Sequence, residues 1–299
     1  MVAGRGVCSY IPSVPTPASP TLAFTTLAST TLCSGASGPV QLWLLHGILG
    51  SGRNWRSFGR RLQKQRPDLT ITLVDLRGHG ASKGFTAPHT VRACADDLVA
   101  LSDVIGVPAV VCGHSFGGKV ALELATRELR GLAEVWTLDS PPGTGPTVPG
   151  QIDQLIGSLR GIQMPVANRV DVQELLIGQG YSAMLAGWMT TNLERVDGGL
   201  GWRFDLEAVE QLLADYFEHD MWPVLTSDSI SVVRRVLRAA RSDRFSAADA
   251  RRLADASDAG TCVAGVLADA GHWLHVDNPD GLAAWMLAAL LKSTAGTVS

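Results

Sequence analysis

Short apolar runs alternate with helical patterns along the chain from residue 41. Four runs are aliphatic or β-branched and end at Gly, Asp or His, as buried strands do; they cover residues 41–46, 69–75, 108–113 and 133–139. Residues 91–101 keep helical spacing after Thr90, which predicts a helix with a threonine cap. This alternation predicts an α/β fold with a mostly parallel central sheet and helices on both faces. Ligands of such sheets bind beyond the carboxyl ends of the strands.

The alternation stops after Pro142. Residues 143–227 show helical patterns, for example at 170–177 and 206–216, but no clear strand. This segment is predicted to be an inserted helical cap. Strand and helix patterns resume at 229–239, 247–256 and 261–269, and a last helix is predicted to start at Pro279. The predicted core therefore has two parts, residues 21–142 and 228–299, with the cap at 143–227 between them.

The first 38 residues differ from the rest of the chain. They contain one charged residue, Arg5, no acidic residue, and about a third Ser or Thr. An organelle transit peptide has this composition, and so does a disordered tail. Residues 21–32 alternate loosely and could form a first strand, so a cleaved segment would end near Pro20. Residues 1–20 thus predict a chloroplast or mitochondrial location if they are a transit peptide, and a cytoplasmic location otherwise.

Composition narrows the classes of partner. The formal net charge is −3, so there is no cationic excess to attract nucleic acid. No apolar run reaches the roughly 18–20 residues of a membrane span, and the longest, 282–291, predicts a buried terminal helix. The five cysteines are scattered and form no C-x-x-C pair, which indicates reduced thiols. We expect no integral membrane segment and no metal site, and the oligomeric state stays open.

A serine motif lies where the third predicted strand meets a helix. The stretch VVCGHSFGGKV contains G-x-S-x-G at residues 113–117, with Ser115 in the middle. This spacing is typical of a nucleophile elbow, a tight turn that exposes a serine hydroxyl. The glycines are expected because Cβ atoms there would clash with the neighbouring strand and helix. Ser115 is therefore the candidate nucleophile, although five residues alone also fit an ordinary glycine-rich turn.

A serine nucleophile needs a base within hydrogen-bond reach. His272, in AGHWLHVDNP, follows the last predicted strand and comes after Ser115 in the chain, as a base does in the order Ser…Asp…His. His275 is the alternative base, and its H-x-x-H spacing with His272 does not make a metal site without further ligands. The sequence assigns structural roles around the site to His46, His79 and His114.

Two aspartates could orient the base. Asp139 ends the strand after the elbow helix, and Asp243 follows the next strand beyond the cap. Both strand ends face the same crevice. Asp139 could instead start a turn before Ser-Pro-Pro, and Asp243 could cap the following helix. We favour Asp139 as the acid and keep Asp243 as the alternative.

Acyl transfer also needs donors for the oxyanion of the tetrahedral intermediate. The elbow supplies the backbone N–H of Phe116. The loop HGILGSGRNW after the first core strand can supply a second N–H, and we assign it to Ile48. A phosphate-binding loop is the alternative, but HGILGSG fits neither G-x-G-x-x-G nor the Walker pattern.

Several residues of the cap and the loops could line an acyl pocket or pack in the core of the cap. The predicted pocket residues are His46, Trp188, Trp202, Phe204, Trp222 and Trp273, with Met184 as a further candidate.

These motifs together resemble those of the α/β-hydrolase superfamily. The resemblance runs from residue 41 to the C-terminus through HGILGS, DLRGHGAS, GHSFGGKVALELA and AGHW. GWRFDLEAV and MWPVL add a likeness to the serine esterase branch that includes bacterial short acyl esterases and the alpha/beta-hydrolase domain-containing protein 11 group. The resemblance implies an α/β-hydrolase fold and a serine hydrolase that acts on small acyl esters or thioesters without a cofactor. It favours Asp139 over Asp243, as in bacterial members of this branch.

Two other classes of function use the same residues. A carbon–carbon bond hydrolase or lyase could use the same triad, and it would turn over diketones or cyanohydrins but not simple esters. A ligand receptor can also retain a triad, and it would bind a small molecule with negligible turnover.

Overall fold

The computed structural model describes residues 20–27, 40–145 and 151–295. The predicted transit peptide or tail lies outside the described residues, apart from Pro20. So does the second half of the candidate first strand.

Seven strands of the described chain form the central sheet. They are β1 (Phe24–Leu27), β2 (Val40–Leu45), β3 (Leu69–Val74), β4 (Val110–His114), β5 (Glu134–Leu138), β8 (Val233–Ala239) and β9 (Val263–Leu267). The order across the sheet is β1-β3-β2-β4-β5-β8-β9. Only β1 is antiparallel to its neighbour, and the remaining pairs are parallel. The predicted mostly parallel sheet is confirmed, and it places the ends of β2, β4, β5, β8 and β9 along one edge.

Helices cover both faces of this sheet. The helices of the core are α1 (Arg56–Gln65), α2 (Val91–Ile105), α3 (Phe116–Ala125), α9 (Ala247–Asp258), α10 (Leu274–Asp277) and α11 (Pro279–Ala295). A short 3-10 helix, Gly52–Trp55, precedes α1. On the two faces of the sheet, the buried apolar residues form one cluster under α2, α3 and α9 and a second under α1, α10 and α11.

Strand periodicity produces these two clusters. On β2, Trp43 and Leu45 point into the first cluster, whereas Leu42 and Leu44 point into the second. All four side chains are fully buried. Successive side chains of a strand point to opposite faces, so a continuous apolar run requires cover on both sides. The apolar runs in the sequence therefore become the inner strands of an α/β sheet.

The segment between β5 and β8 has its own elements. It contains α4 (Gln151–Arg160), α5 (Arg169–Gly178), α6 (Ala183–Thr190), β6 (Leu193–Val196), β7 (Gly199–Trp202), α7 (Leu206–Glu218) and α8 (Trp222–Leu225). We call residues 143–227 the insertion. Most of its buried apolar residues form a third cluster that also includes Leu49 of the core.

The prediction of an insertion without strands is wrong at one place. β6 and β7 pair in antiparallel register, and the turn between them includes Gly198, which has positive φ. Each strand has four residues, too few for an alternating pattern to stand out from a loop. Across the part of the chain that the structure describes, no helix has the length and apolar character to cross a membrane.

Candidate active site

Ser115 occupies a strained turn between β4 and α3. Its backbone has φ 51° and ψ −119°, a region that non-glycine residues rarely adopt. A Cβ on Gly113 would lie 1.9 Å from the carbonyl oxygen of Gly117, so this turn can form only with glycine there. His114 and Phe116 are buried, whereas Ser115 is half-buried. The turn thus presents the serine at the carboxyl end of β4.

His272 and Asp139 are joined by a hydrogen bond. His272 Nδ1 lies 2.7 Å from Asp139 Oδ2. The Asp139 side chain is fully buried, and the other carboxylate oxygen accepts the Ala239 N–H at 3.0 Å. Because a carboxylate can only accept, the ring proton lies on Nδ1 and the Nε2 lone pair of His272 is left to act as a base.

The structure separates the two candidate acids. Asp139 follows β5 directly and reaches His272, which lies on the loop between β9 and α10. The side chain of Asp243 is 87% exposed, and its carboxylate lies 3.3 Å from the guanidinium of Arg244. The alternative acid is therefore in solvent, away from His272.

Ser242, which no motif in the sequence indicates, also binds Asp139. Its hydroxyl donates to Oδ2, the carboxylate oxygen that accepts the His272 ring proton. A serine in a loop carries no distinctive pattern, so nothing in the sequence pointed to it. Together Ala239, Ser242 and His272 give the buried carboxylate the hydrogen bonds that an ionised acid needs away from water.

His46 and His79 fix the loop after β2 through their ring nitrogens. His46 donates from Nδ1 to the Gly47 carbonyl at 2.8 Å and accepts the Leu76 N–H on Nε2 at 2.9 Å. His79 accepts the Leu49 N–H on Nε2 at 3.1 Å. Burial lowers the pKa of His46 to about 4 and that of His79 to about 3, so both rings are neutral. With both nitrogens engaged and 1% exposure, His46 supports the loop and does not line an open pocket.

His114 and His275 lie beside His272. His114 Nε2 is 2.7 Å from the main-chain carbonyl oxygen of His272, and burial lowers the pKa of His114 well below its usual value. The His275 ring packs against Trp55 with centroids 4.5 Å apart. Among the described residues, His275 Nδ1 has no hydrogen-bond partner, and burial lowers its pKa to about 4. The alternative base therefore lacks the acid partner that His272 has.

The loop after β2 lies against the serine. A Cβ on Gly47 would be 3.3 Å from Ser115 Cβ. Ile48 follows Gly47 in this loop, and Phe116 is the first residue of α3. Within the described ranges, neither the Ile48 nor the Phe116 N–H has a hydrogen-bond partner. Both predicted oxyanion donors are thus N–H groups without a partner. The Ile48 N–H follows Gly47, and the Phe116 N–H follows Ser115.

The structure divides the predicted pocket residues into two groups. Trp188 of α6 and Trp273, next to His272, are half-buried, and their rings lie 5.4 Å apart. The other three cap residues pack internally: Trp202 stacks on Phe204, which is 5% exposed, and Trp222 is 2% exposed with Arg252 over its ring. Among the predicted pocket residues, Trp188 and Trp273 form a ring contact between the insertion and the loop of His272. Met184 is 64% exposed.

Lys119, on the elbow helix, is buried beneath the insertion. Its Nζ donates to the carbonyl oxygens of Gly143, Tyr216 and His219 at 2.8, 2.7 and 2.9 Å. The spacing of Lys119, Glu123 and Arg127 on one helix face is typical of a solvated surface. The sequence pattern therefore could not show that this face of α3 is covered.

No group of three or more metal-ligating side chains is found among the described residues. The described cysteines, Cys94, Cys112 and Cys262, are buried and free.

Comparisons with known proteins show the family and the fold of this chain. The model of the "Alpha/beta hydrolase family" matches residues 44–285. Lipase LipV of Mycobacterium tuberculosis is 42% identical over 106 residues, 35% of this chain and 39% of that protein. The sn-1-specific diacylglycerol lipase ABHD11 of Mus musculus is 32% identical over 180 residues, 56% of each chain. The matches thus span about half or less of these two relatives.

A solved structure supports the fold over a larger part of the chain. The structure titled "Marine microorganism esterase" superposes with a TM-score of 0.75 at 23% identity, covering 90% of this chain and 99% of that one. At this identity the likeness shows the fold alone.

Proposed function

Because this chain belongs to the alpha/beta hydrolase family, we propose that it is a serine hydrolase that cleaves carboxylic ester or thioester bonds of small acyl substrates. The observation that carries the proposal is the buried Asp139 carboxylate on Nδ1 of His272, at the sheet edge where Ser115 occupies its strained turn. This pairing fixes the tautomer in which His272 Nε2 can accept a proton. A histidine with only a structural role would not need that lone pair.

The proposed reaction has two halves. Ser115 Oγ attacks the carbonyl carbon while His272 Nε2 takes the hydroxyl proton. The tetrahedral intermediate collapses, the bond to the leaving alcohol or thiol breaks, and His272 returns the proton to that group. Water then attacks the acyl-serine and gives a proton to His272 Nε2. The second tetrahedral intermediate collapses, the bond from the carbonyl carbon to Ser115 Oγ breaks, and His272 returns the proton to Oγ as the acid leaves.

The Ile48 and Phe116 N–H groups are the proposed oxyanion donors. Support comes from Gly47, which lies so close to the elbow that a Cβ there would be 3.3 Å from Ser115 Cβ, and Ile48 is the next residue. Each such donor typically stabilises the transition state by about 2.7–4 kcal/mol. His79 is consistent with this assignment, because it engages the neighbouring Leu49 N–H, which therefore cannot serve as an oxyanion donor.

The insertion is proposed to be a cap that selects the acyl group. Trp188 and Trp273 support this role, because they connect α6 to the residue next to the base. Apolar surface at this contact suits an acyl chain better than a charged substrate. The names of the two sequence relatives, both lipases, fit an ester substrate.

A hydrolysis screen of the full chain tests the proposal. Purified protein is assayed on p-nitrophenyl esters from acetate to palmitate and on matched acyl-CoA thioesters, beside Ser115→Ala. We expect turnover of at least one series and its loss in the variant. A fluorophosphonate probe should label Ser115 in the unmutated protein only. No turnover and no labelling by the unmutated protein would overturn the proposal, and the carbon–carbon hydrolase and receptor hypotheses would take its place.

A further inference from the structure

His114 connects the nucleophile to the backbone of the base. It directly precedes Ser115, and its Nε2–H donates to the main-chain carbonyl oxygen of His272 at 2.7 Å. The two imidazole rings lie 4.7 Å apart. Because the His114 side chain is 6% exposed, water competes little for this hydrogen bond. The contact joins residues 158 positions apart in the sequence.

Building on the serine hydrolase proposed above, we propose that His114 is a positioning residue that fixes His272 relative to Ser115. Asp139 holds His272 at one ring atom, Nδ1. That bond sets the tautomer, but it does not hold the main chain of His272, which lies on the loop between β9 and α10. The bond from His114 holds this loop at the carbonyl of His272 itself. It starts from the residue next to the nucleophile, so it fixes the distance on which proton transfer depends.

The charge state of His114 suits this role. Burial, followed by the neighbouring His272 and His275 rings, lowers the pKa of His114 well below its usual value. The ring is therefore neutral at physiological pH. A carbonyl oxygen can only accept, so the proton of the neutral ring lies on Nε2 and the bond has one direction. A neutral donor also places no positive charge beside His272, which must itself become positive during proton transfer.

A purely packing role for His114 is the competing explanation. Its ring also lies edge-on to Trp55, with centroids 6.3 Å apart, and 5.6 Å from the His275 ring. If packing alone mattered, an apolar side chain of similar size would serve equally well. The two explanations therefore differ in whether the side chain must carry an N–H donor.

Two variants of similar size separate these explanations. In His114→Gln the amide nitrogen can reach the position of Nε2 and donate, whereas His114→Met has a similar length and no donor. We expect the methionine variant to lose up to about 100-fold in kcat and in the rate of fluorophosphonate labelling of Ser115, as small misplacements in active sites do. KM should change much less than kcat, because substrate binding is not affected. The glutamine variant should recover most of the loss, and His89→Met serves as a control for a histidine on the loop before α2.

The outcomes decide the proposal. A folded methionine variant with the kcat and labelling rate of the unmutated protein overturns it, as does a glutamine variant that is no better than methionine. If His114→Met does not fold, Gln is compared with His114→Asn, whose amide nitrogen falls short of the Nε2 position. A slower asparagine variant supports the proposal, and equal rates overturn it. No turnover by the unmutated protein is a separate result, because it overturns the proposed function and this inference together.

Discussion

Replacing Asp139 by asparagine tests the proposed triad at its most buried member. The change keeps the shape of the side chain but turns one accepting oxygen into a donating amide group. In the unmutated protein, Asp139 Oδ1 accepts the Ala239 N–H at 3.0 Å, and Oδ2 accepts the proton on His272 Nδ1 at 2.7 Å. We expect the asparagine oxygen to face the Ala239 N–H, because this main-chain donor cannot become an acceptor, whereas the Ser242 hydroxyl can rotate to accept and His272 can change tautomer. The amide nitrogen then faces His272.

This orientation reverses the tautomer of His272. A donating amide requires Nδ1 to accept, so the ring proton moves to Nε2 and the lone pair that would take the Ser115 proton is lost. The same exchange in a Ser-His-Asp triad lowers kcat about 10⁴-fold. At about 1.36 kcal/mol for each factor of ten, the transition state loses about 5.4 kcal/mol of stabilisation. We expect a loss of this size in kcat.

The assay is kcat and KM on the best substrate of the screen, with the melting temperature of each variant. Asp243→Asn is the matched control, because it makes the same chemical change on a side chain that is 87% exposed. It should behave like the unmutated protein. The reasoning is refuted if folded Asp139→Asn keeps kcat within about tenfold of the unmutated protein, or if Asp243→Asn loses more activity than Asp139→Asn.

Three further predictions concern stability. The pKa of His46 falls from 6.5 in the unfolded chain to about 4 in the folded one, so its contribution to the free energy of unfolding is present above its unfolded pKa and is lost as the pH falls, by about 2.5 kcal/mol at about pH 4.5. Urea unfolding at about pH 8 and about pH 4.5 should show a smaller difference in stability for His46→Gln. Gly113→Ala should lower the free energy of unfolding by more than about 3 kcal/mol, because the added Cβ would lie 1.9 Å from a carbonyl oxygen. Gly157→Ala is the control: a Cβ there meets open space, so its melting temperature should equal that of the unmutated protein. Lys119→Met leaves three carbonyl oxygens without their donor and should lower the free energy of unfolding in urea by about 3–5 kcal/mol. Lys64 is exposed, so Lys64→Met should change that free energy little. Equal losses in the two variants would contradict the role of the buried ammonium.

The elements of the core could be predicted because their signals are local. A buried strand needs a short apolar run and an elbow needs small residues at fixed spacing, and both requirements are visible within about ten residues of sequence. The predicted strand at 108–113 corresponds to β4 (Val110–His114), and the predicted helix at 91–101 begins α2 (Val91–Ile105). The boundary of β8 was less clear, because the apolar pattern begins at residue 229 and the strand begins at Val233. A pattern shows that a strand exists more reliably than it shows where the pairing starts.

By itself the sequence determined the α/β alternation, the serine at the turn and the histidine after the last strand. Two aspartates remained at strand ends, and only the tertiary structure separated them: Asp139 is buried 2.7 Å from His272 Nδ1, and Asp243 is in solvent. The burial of Lys119 and the contact of Trp188 with Trp273 were decided in the same way. The physical reason is distance along the chain. Local patterns report which face of an element is apolar, whereas the pairing of β5, β8 and β9 brings Asp139 and His272 together from 133 positions apart in the sequence.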